Sequence, residues 1–177
     1  PAMRILITGG AGFIGSHLSE RLTLEGHTVT VIDNFTTGRA SNTLNLMRSK
    51  HFTLVDGSIL DTHVLNPLIE ASDYVFHLAA AVGVFNIVDN PLASLLTNIR
   101  GTENVLELAY GTNTPVLITS SSEVYGKNVS NSLKEVDDRI LGSPTVLRWS
   151  YSEAKAIDES LAYAYFVERQ LETRIVR

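Results

Sequence analysis

Residues 4–17 read RILITGGAGFIGSH, and this stretch contains the pattern that decides the fold. The apolar run at residues 5–7 is typical of a strand that is buried on both faces. Apolar residues then recur at helical spacing between Phe13 and Leu22. The stretch therefore predicts a strand, a tight turn and a helix, in that order.

Three glycines, Gly9, Gly12 and Gly15, lie in the predicted turn. In such a turn the first glycine permits the bend, the second lets a pyrophosphate approach the backbone, and the third allows close packing of helix against strand. The start of the helix, with Phe13 and Ile14, adds free N–H groups and the positive end of the helix dipole. Glycines also occur in ordinary turns, but this context predicts a dinucleotide-binding site.

A carboxylate at the end of the next predicted strand supports the same interpretation. The strand-like run at residues 28–32 leads into Asp33 and Asn34. An acidic residue at this distance from the glycines typically accepts hydrogen bonds from the adenosine ribose. It would repel the 2′-phosphate of NADP, and no arginine follows before Arg39. We therefore expect NAD as the cofactor, although Asp33 and Asn34 by themselves are also ordinary turn residues.

The composition describes a single globular domain over residues 1–177, with 44% apolar and 19% charged residues. A formal net charge of -5 without a basic patch argues against binding to nucleic acid. No apolar run approaches the roughly 20 residues of a membrane span, and the first strand begins almost at once. We therefore expect no membrane association, no signal peptide and a cytoplasmic location. The absence of cysteine excludes disulfides and thiolate chemistry.

Strand-like and helix-like segments alternate along the whole chain. After the first two strands, further strands are predicted at residues 52–56, 74–78, 116–120 and 173–176, and the longest helices at 91–110 and 150–171. This alternation predicts an α/β fold of the Rossmann type, a doubly wound parallel sheet with helices on both faces. Its ligand lies across the carboxyl ends of the strands. No metal site is predicted, and His77 is interpreted as a histidine packed in the sheet.

Two further strand ends supply candidate cofactor contacts. Asp56 and Ile59 follow the third strand, where they could flank an adenine ring; a helix cap is the alternative for Asp56. Leu78, Ala79 and Ala80 follow the fourth strand. Small residues at that point let the backbone pass close to a cofactor, although simple close packing would explain them as well.

The candidate chemical groups are Ser121, Tyr151 and Lys155. Tyr151 and Lys155 are four positions apart, so a helix places them on one face. A nearby ammonium, and a nicotinamide cation, would lower the pKa of a phenol from about 10 and make it a usable general base. Ser121 could hold the same substrate hydroxyl in line. A tyrosine and a lysine at this spacing are otherwise a common surface pair.

The sequence resembles the extended short-chain dehydrogenase/reductases that modify nucleotide sugars. Four features carry the resemblance: the glycine turn, Asp33 and its neighbours, the segment SSEVYG at residues 121–126, and the Tyr151/Lys155 pair. The resemblance runs from about residue 4 to the last residue. It implies a tightly held NAD, a nucleotide-sugar substrate, and Ser121, Tyr151 and Lys155 as the catalytic group. Asn98 matches a family position that supports the active site; its alternative is an ordinary polar contact on a helix.

Members of this family share oxidation of the sugar at C4 and differ in the steps that follow. Glu123, after Ser122, resembles the UDP-glucuronate decarboxylases, and Arg148 and Trp149 favour the same group. A UDP-glucose 4-epimerase and a 4,6-dehydratase remain the alternatives, since dehydratases also carry a glutamate there. Glu123 could also simply cap the turn that follows it.

The resemblance also implies features that depend on more than these residues. Family members continue past the sixth strand into a C-terminal substrate domain with an arginine used by decarboxylases, whereas this sequence ends at Arg177. We therefore expect the substrate domain to be absent from this chain. A catalytically silent NAD-binding module is the second hypothesis. Family helices that match residues 91–110 and 150–171 pair with their copies, so a homodimer is expected, with core packing as the alternative for part of their apolar surface.

Overall fold

The computed structural model describes the backbone of residues 1–177 and the side chains of all of them except residues 84 and 85. Along this described chain the strands are β1 (Arg4–Thr8), β2 (Thr28–Asp33), β3 (Phe52–Asp56), β4 (Tyr74–His77), β5 (Val116–Thr119) and β6 (Thr173–Val176). The helices are α1 (Phe13–Leu24), α2 (Thr62–Glu70), α3 (Val84–Asp89), α4 (Pro91–Thr112) and α5 (Ser150–Arg169).

The strands form one parallel sheet in the order β3-β2-β1-β4-β5-β6. The chain first winds outward from β1 to β3 and then returns to the other side of β1 with β4. The direction of winding therefore reverses between β1 and β4, and a parallel sheet opens a crevice for ligands at such a point. The predicted Rossmann-type fold is confirmed.

Side chains of β1 alternate between two apolar clusters because successive residues of a strand point to opposite faces of the sheet. Leu6 belongs to a cluster that includes Val105 of α4 and residues of α2 and α5. Ile5 and Ile7 belong to a second cluster that includes Leu18 of α1. Helices thus cover both faces of the sheet, and β1 is buried on both sides.

The ends of the two long helices differ slightly from the predicted ones. Asn113 and Gln170 adopt left-handed backbone conformations, with φ of 53° and 56°, directly after α4 and α5. Their N–H groups donate to carbonyls of the last helical turn, which closes each helix. Leu171 therefore leaves the helix that was predicted to include it, and it is fully buried in the core.

Neither a membrane span nor a metal cluster is found in the part of the chain that the structure describes. None of the described helices combines the length and apolar character required to span a bilayer. Among the described side chains, no three histidine, aspartate or glutamate residues converge as they would around a metal ion.

The turn after β1 contains the closest backbone packing near the reversal point. Gly9 has a φ of 70°, and a Cβ atom there would lie 2.7 Å from the amide nitrogen of Ala79. A Cβ atom on Gly15 would lie 2.4 Å from the carbonyl oxygen of Gly9. Because these neighbours are backbone atoms, they have little freedom to move aside. The roles predicted for Gly9 in bending and Gly15 in close packing agree with this geometry.

Gly15→Ala should destabilise the fold by about 1–3 kcal/mol, because the added methyl group overlaps backbone atoms of the turn. Gly111→Ala is the matched control, since Gly111 is also helical but has nothing within 4 Å of the Cβ position. The control should be neutral or stabilise the helix by about 0.5–1 kcal/mol. Urea unfolding measures both free energies, and equal effects of the two substitutions would contradict the packing argument.

Candidate functional site

A cavity of about 480 Å³ lies at the carboxyl end of the sheet, where the strand order reverses. This volume is typical of pockets that bind small molecules and cofactors. Most of the residues predicted at the site contribute to its wall. They are Gly9, Gly12, Phe13, Ile14, Gly15, Asp33, Asn34, Ile59, Leu78, Ala79, Ala80, Tyr151 and Lys155.

Two predicted cofactor residues, Asp56 and Asn98, are not part of the cavity wall as described. Asp56 has an exposed side chain at the end of β3, and the residues after it, Gly57 to Ile59, form that wall. The buried Asn98 amide accepts a hydrogen bond from the N–H of Ala81 at 2.7 Å and donates one to its carbonyl at 3.1 Å. Asn98 therefore fixes the loop after β4 through two backbone hydrogen bonds, without being part of the described cavity wall.

The first turn of α1 faces the cavity with its backbone. Gly12 is the N-terminal cap, no side chain caps the helix, and no acidic residue lies in its first turn. N–H groups at a helix start that have no internal acceptor attract anions, and the helix dipole adds to that attraction. Phe13 and Ile14 stand at the same place with largely exposed side chains. This wall suits a phosphate group.

Asp33 is oriented by two backbone amides at the cavity wall. Its Oδ2 accepts from the N–H of Ala11 at 2.9 Å, and its Oδ1 accepts from the N–H of Phe35 at 2.8 Å. A carboxylate oxygen can accept two hydrogen bonds, and each oxygen of Asp33 accepts one from the backbone. Both oxygens can therefore accept a further hydrogen bond from a ligand. The side chain is nevertheless nearly buried, so its orientation is set before any ligand contact.

Tyr151 and Lys155 line the cavity together with Thr119 and Ser120 at the end of β5, and Ser121 follows directly in the chain. The Ser121 side chain lies near enough to Tyr151 to lower the pKa of the phenol. Ser121 also caps the turn Ser122–Tyr125 by accepting the N–H of Glu123 at 3.2 Å. The Lys155 ammonium donates to the carbonyl of Thr119 at 2.9 Å. Tyr151 and Lys155 thus share one cavity wall, whereas Ser121 is not part of that wall as described.

The expected lowering of the Tyr151 pKa is wrong for the protein by itself. Burial raises the pKa of Tyr151, and although Ser121 lowers it, the carboxylates of Glu123 and Asp158 raise it further. The phenol therefore stays protonated to a higher pH than a free tyrosine. The spacing correctly predicts that Lys155 lies on the same face of α5 as Tyr151. The lysine ammonium, however, lies 3.8 Å from the carboxylate of Asp158, an acid that the sequence interpretation did not consider.

Glu123 forms a two-point ion pair with Arg148 across 2.7 and 3.2 Å. The bond to Glu123 raises the pKa of the Arg148 guanidinium, which also stacks over the ring of Trp149. Lys127 contacts the same ring through its ammonium. Sequence reasoning selected Glu123, Arg148 and Trp149 as family features but did not predict that they form one cluster, because Glu123 lies 25 residues before Arg148.

Sequence reasoning missed Asp158 and Ser120. Asp158 lies one turn after Lys155 on α5, and this spacing was a usable indication of a pair. Ser120 lines the cavity at the end of β5, and its buried hydroxyl has no hydrogen-bond partner among the described residues. A buried polar atom without a partner at a cavity wall is a candidate ligand contact.

The fold and the cavity define a dinucleotide-binding domain of the Rossmann type. The chain belongs to the NAD dependent epimerase/dehydratase family, whose model matches residues 5–177. A relative, the UDP-N-acetyl-alpha-D-glucosaminuronate decarboxylase of Bacillus cytotoxicus, is 41% identical over 93% of this chain and 50% of its own length. UDP-glucuronic acid decarboxylase 1 of Xenopus tropicalis is 39% identical over 98% of this chain and 40% of its own length.

The similarity extends to solved structures. The UDP-glucose 4-epimerase of Brucella ovis, solved in complex with NAD, superposes with a TM-score of 0.85 and 30% sequence identity. The match covers 98% of this chain and 51% of that one. This chain therefore spans about half the length of the proteins that it matches.

NAD is the cofactor of this family, and the residues of the cavity fit it. The uncapped start of α1 suits the pyrophosphate, and the oriented carboxylate of Asp33 suits a ribose diol. The unpartnered hydroxyl of Ser120 and the buried ammonium of Lys155 supply donors at the other end. Together these groups provide polar contacts along the length of a dinucleotide.

Asp33→Ala should weaken NAD binding by about tenfold or more, since a hydrogen bond to a charged group contributes about 1.5–3 kcal/mol. It should also narrow the preference for NAD over NADP, because the charge that repels a 2′-phosphate is lost. Calorimetric titration with both cofactors measures this. Asp56→Ala is the control, as its exposed carboxylate is outside the cavity wall. Tighter binding of NADP than NAD by the parent chain would overturn the assignment of Asp33.

Proposed function

We propose that this chain is the cofactor-binding half of an enzyme that modifies a nucleotide sugar through a 4-keto intermediate, with UDP-glucuronate decarboxylation as its reaction. The observation that carries the proposal is that Tyr151 and Lys155 share one cavity with the glycine turn. The effect of Ser121 on the pKa of Tyr151 supports a catalytic role for both hydroxyls. The names of the two relatives support the nucleotide sugar as the substrate class.

In this proposal Tyr151 removes the proton from the sugar 4-hydroxyl. Ser121 orients that hydroxyl, and the Lys155 ammonium contacts the bound cofactor. When bound, NAD would supply the hydride acceptor for C4 and a positive charge that favours the phenolate. Since burial and two carboxylates raise the pKa of Tyr151, proton removal by this residue should become faster with rising pH until the phenol is ionised.

Two observations favour decarboxylation over epimerisation. Both relatives described above are decarboxylases at about 40% identity, whereas the 4-epimerase structure is 30% identical. In addition, the Glu123/Arg148 ion pair places a fixed carboxylate beside the Ser121/Tyr151 pair. A 4-epimerase is the second candidate, because C4 oxidation needs the same serine, tyrosine and lysine. We also propose, from the composition, that the protein acts in the cytoplasm.

The reaction is tested by assaying this chain and a chimera that adds the C-terminal part of the Xenopus tropicalis relative, whose name gives UDP-glucuronic acid as its substrate. Release of CO₂ from UDP-glucuronate would support decarboxylation. Conversion of UDP-glucose to its 4-epimer without CO₂ release would support the epimerase instead. Tight NAD binding without turnover of either sugar by the folded chimera would favour a catalytically silent NAD-binding module.

Tyr151→Phe should lower the rate of C4 oxidation by roughly 10² to 10⁴, the usual effect of losing a general base, while folding and NAD binding survive. The readout is NADH absorbance in a single turnover of the chimera with excess enzyme. Tyr163→Phe is the matched control, because Tyr163 lies on the exposed side of the same helix. If Tyr151→Phe still reduces NAD at the parent rate, the proton leaves to another group.

We further propose a homodimer through α4 and α5, which pack together along one face of the sheet. Leu92 on α4, with Tyr163, Phe166 and Val167 on α5, present large exposed apolar surfaces. By contrast, Leu106 of α4 is fully buried in the core and is not available for a partner. Tyr163, Phe166 and Val167 lie on one face of α5, and exposed apolar residues grouped in this way favour an interface between copies.

Light scattering at micromolar concentration should therefore give the mass of a dimer. Phe166→Glu should shift the distribution to the monomer, because it places a charge in the proposed interface. Leu24→Glu should leave the mass unchanged, since Leu24 is also exposed but lies at the end of α1, outside the proposed interface. A monomer mass for the parent chain would count against the dimer.

A further inference from the structure

A row of buried polar side chains runs from β1 through β4 and α4 to α5. The Thr8 hydroxyl lies 2.7 Å from Nδ1 of His77, and Nε2 of His77 lies 2.9 Å from the Thr102 hydroxyl. The Thr102 hydroxyl lowers the pKa of the Asp158 carboxyl, although Asp158 Oδ1 is buried and has no hydrogen-bond partner among the described residues. Asp158 Oδ2 lies 3.8 Å from the ammonium of Lys155. The row therefore ends on the lysine that lines the cofactor cavity.

The backbone around Thr8 sets the direction of these hydrogen bonds. The Thr8 hydroxyl oxygen accepts the N–H groups of Leu78 and Ala79, each at 3.1 Å. A hydroxyl has two acceptor sites and one proton, so its proton is left for Nδ1 of His77. Nδ1 is then an acceptor, and a neutral His77 carries its proton on Nε2 and donates it to Thr102.

His77 is neutral because burial and the nearby Lys155 ammonium lower its pKa to about 3. Since the Thr102 hydroxyl accepts from His77, its own proton is available to Asp158. Thr8 thus donates to His77 and His77 donates to Thr102, which leaves the Thr102 proton free for the carboxylate of Asp158. A nearby hydroxyl donor favours the ionised form of a carboxyl, and Thr102 does lower the pKa of Asp158.

Asp158 and Lys155 are an almost completely buried pair, with side chains 2% and 4% exposed. Burial raises the pKa of Asp158 to about 7 and lowers the pKa of Lys155, and each charge opposes that effect on the other. The groups that face the pair are Tyr151 and Glu159 on α5, His77 on β4, the Thr102 hydroxyl on α4 and the Thr119 carbonyl on β5. Asp158 is the nearest of the anions to the ammonium, and no other ion pair with Lys155 is found among the described residues.

We propose that Asp158 is the positioning residue for Lys155: it is the internal counter-ion that keeps the buried ammonium charged and directed at the cavity, and the Thr8–His77–Thr102 row orients it. The role of Lys155 toward NAD and Tyr151 rests on the proposed function. The coupling between Asp158 and Lys155 does not depend on it. Removing one partner of a buried ion pair leaves the other charge uncompensated, so Asp158 should matter more than an exposed acid of the same helix.

The charge of Lys155 is measured directly in this chain by NMR of ¹³Cε-labelled lysine, since the sequence contains only Lys50, Lys127, Lys134 and Lys155. Lys155→Met assigns the resonance. In the parent chain Lys155 should titrate below the pKa of free lysine. Asp158→Asn should lower its midpoint by a further one to three units or so, the usual effect of a charge within about 4–6 Å.

Glu168→Gln is the matched control, an exposed acid near the end of the same helix, and it should leave the Lys155 midpoint unchanged. Thr102→Val should lower the midpoint in the same direction as Asp158→Asn but by less, and Thr102→Ser should restore it. The proposal is overturned if Asp158→Asn moves the midpoint no further than the control does.

A second measurement needs no substitution at Asp158 and so survives a failure of that variant to fold. Nitrogen NMR of the histidines should show His77 with a proton on Nε2, none on Nδ1, and no titration between about pH 5 and 8. A proton on Nδ1 would reverse the direction of the row and overturn its role in orienting Asp158. A shifted Lys155 midpoint with unchanged NAD affinity would support the coupling and overturn the proposed role of Lys155 at the cofactor.

Discussion

The turn after β1 lies so close to the loop after β4 that no side chain fits between them. A Cβ atom on Gly9 would fall 2.7 Å from the backbone nitrogen of Ala79. Immediately before this glycine, the Thr8 hydroxyl accepts two amide protons from the same loop. The Asn98 side chain binds the same loop through the backbone N–H and the carbonyl of Ala81. The two strand ends that flank the reversal of the sheet are therefore fixed relative to each other.

The remaining parts of the site are attached to this fixed contact. Asp33 accepts the N–H of Ala11, so the end of β2 is joined to the same turn. The start of α1 follows the turn directly, and its direction is set by the close packing of Gly15. The cavity wall that faces phosphate and ribose groups is thus built by backbone contacts, which are more rigid than contacts between flexible side chains.

Three carboxylates of this region have different partners, and of the three Asp33 is the one in the cavity wall as described. Asp33 is held by backbone amides, Glu123 by the guanidinium of Arg148, and Asp158 lies 3.8 Å from the buried ammonium of Lys155. Residues of one chemical type are therefore held in three different environments. Tyr151 has a raised pKa because its ring is buried and lies near two of these anions.

The sequence by itself determined the order of strands and helices, the glycine turn, and the presence of Asp33, Tyr151 and Lys155 at the ends or on the faces of their elements. These features depend on local periodicity and spacing, which a sequence displays directly. Only the tertiary structure decided that Glu123 pairs with Arg148 and that Thr8, His77 and Thr102 form a row leading to Asp158. It also decided that the Lys155 ammonium lies against Asp158, which the spacing of Tyr151 and Lys155 did not reveal. The physical reason is that ionic pairing and pKa depend on distances and burial across packed elements, which no local pattern specifies.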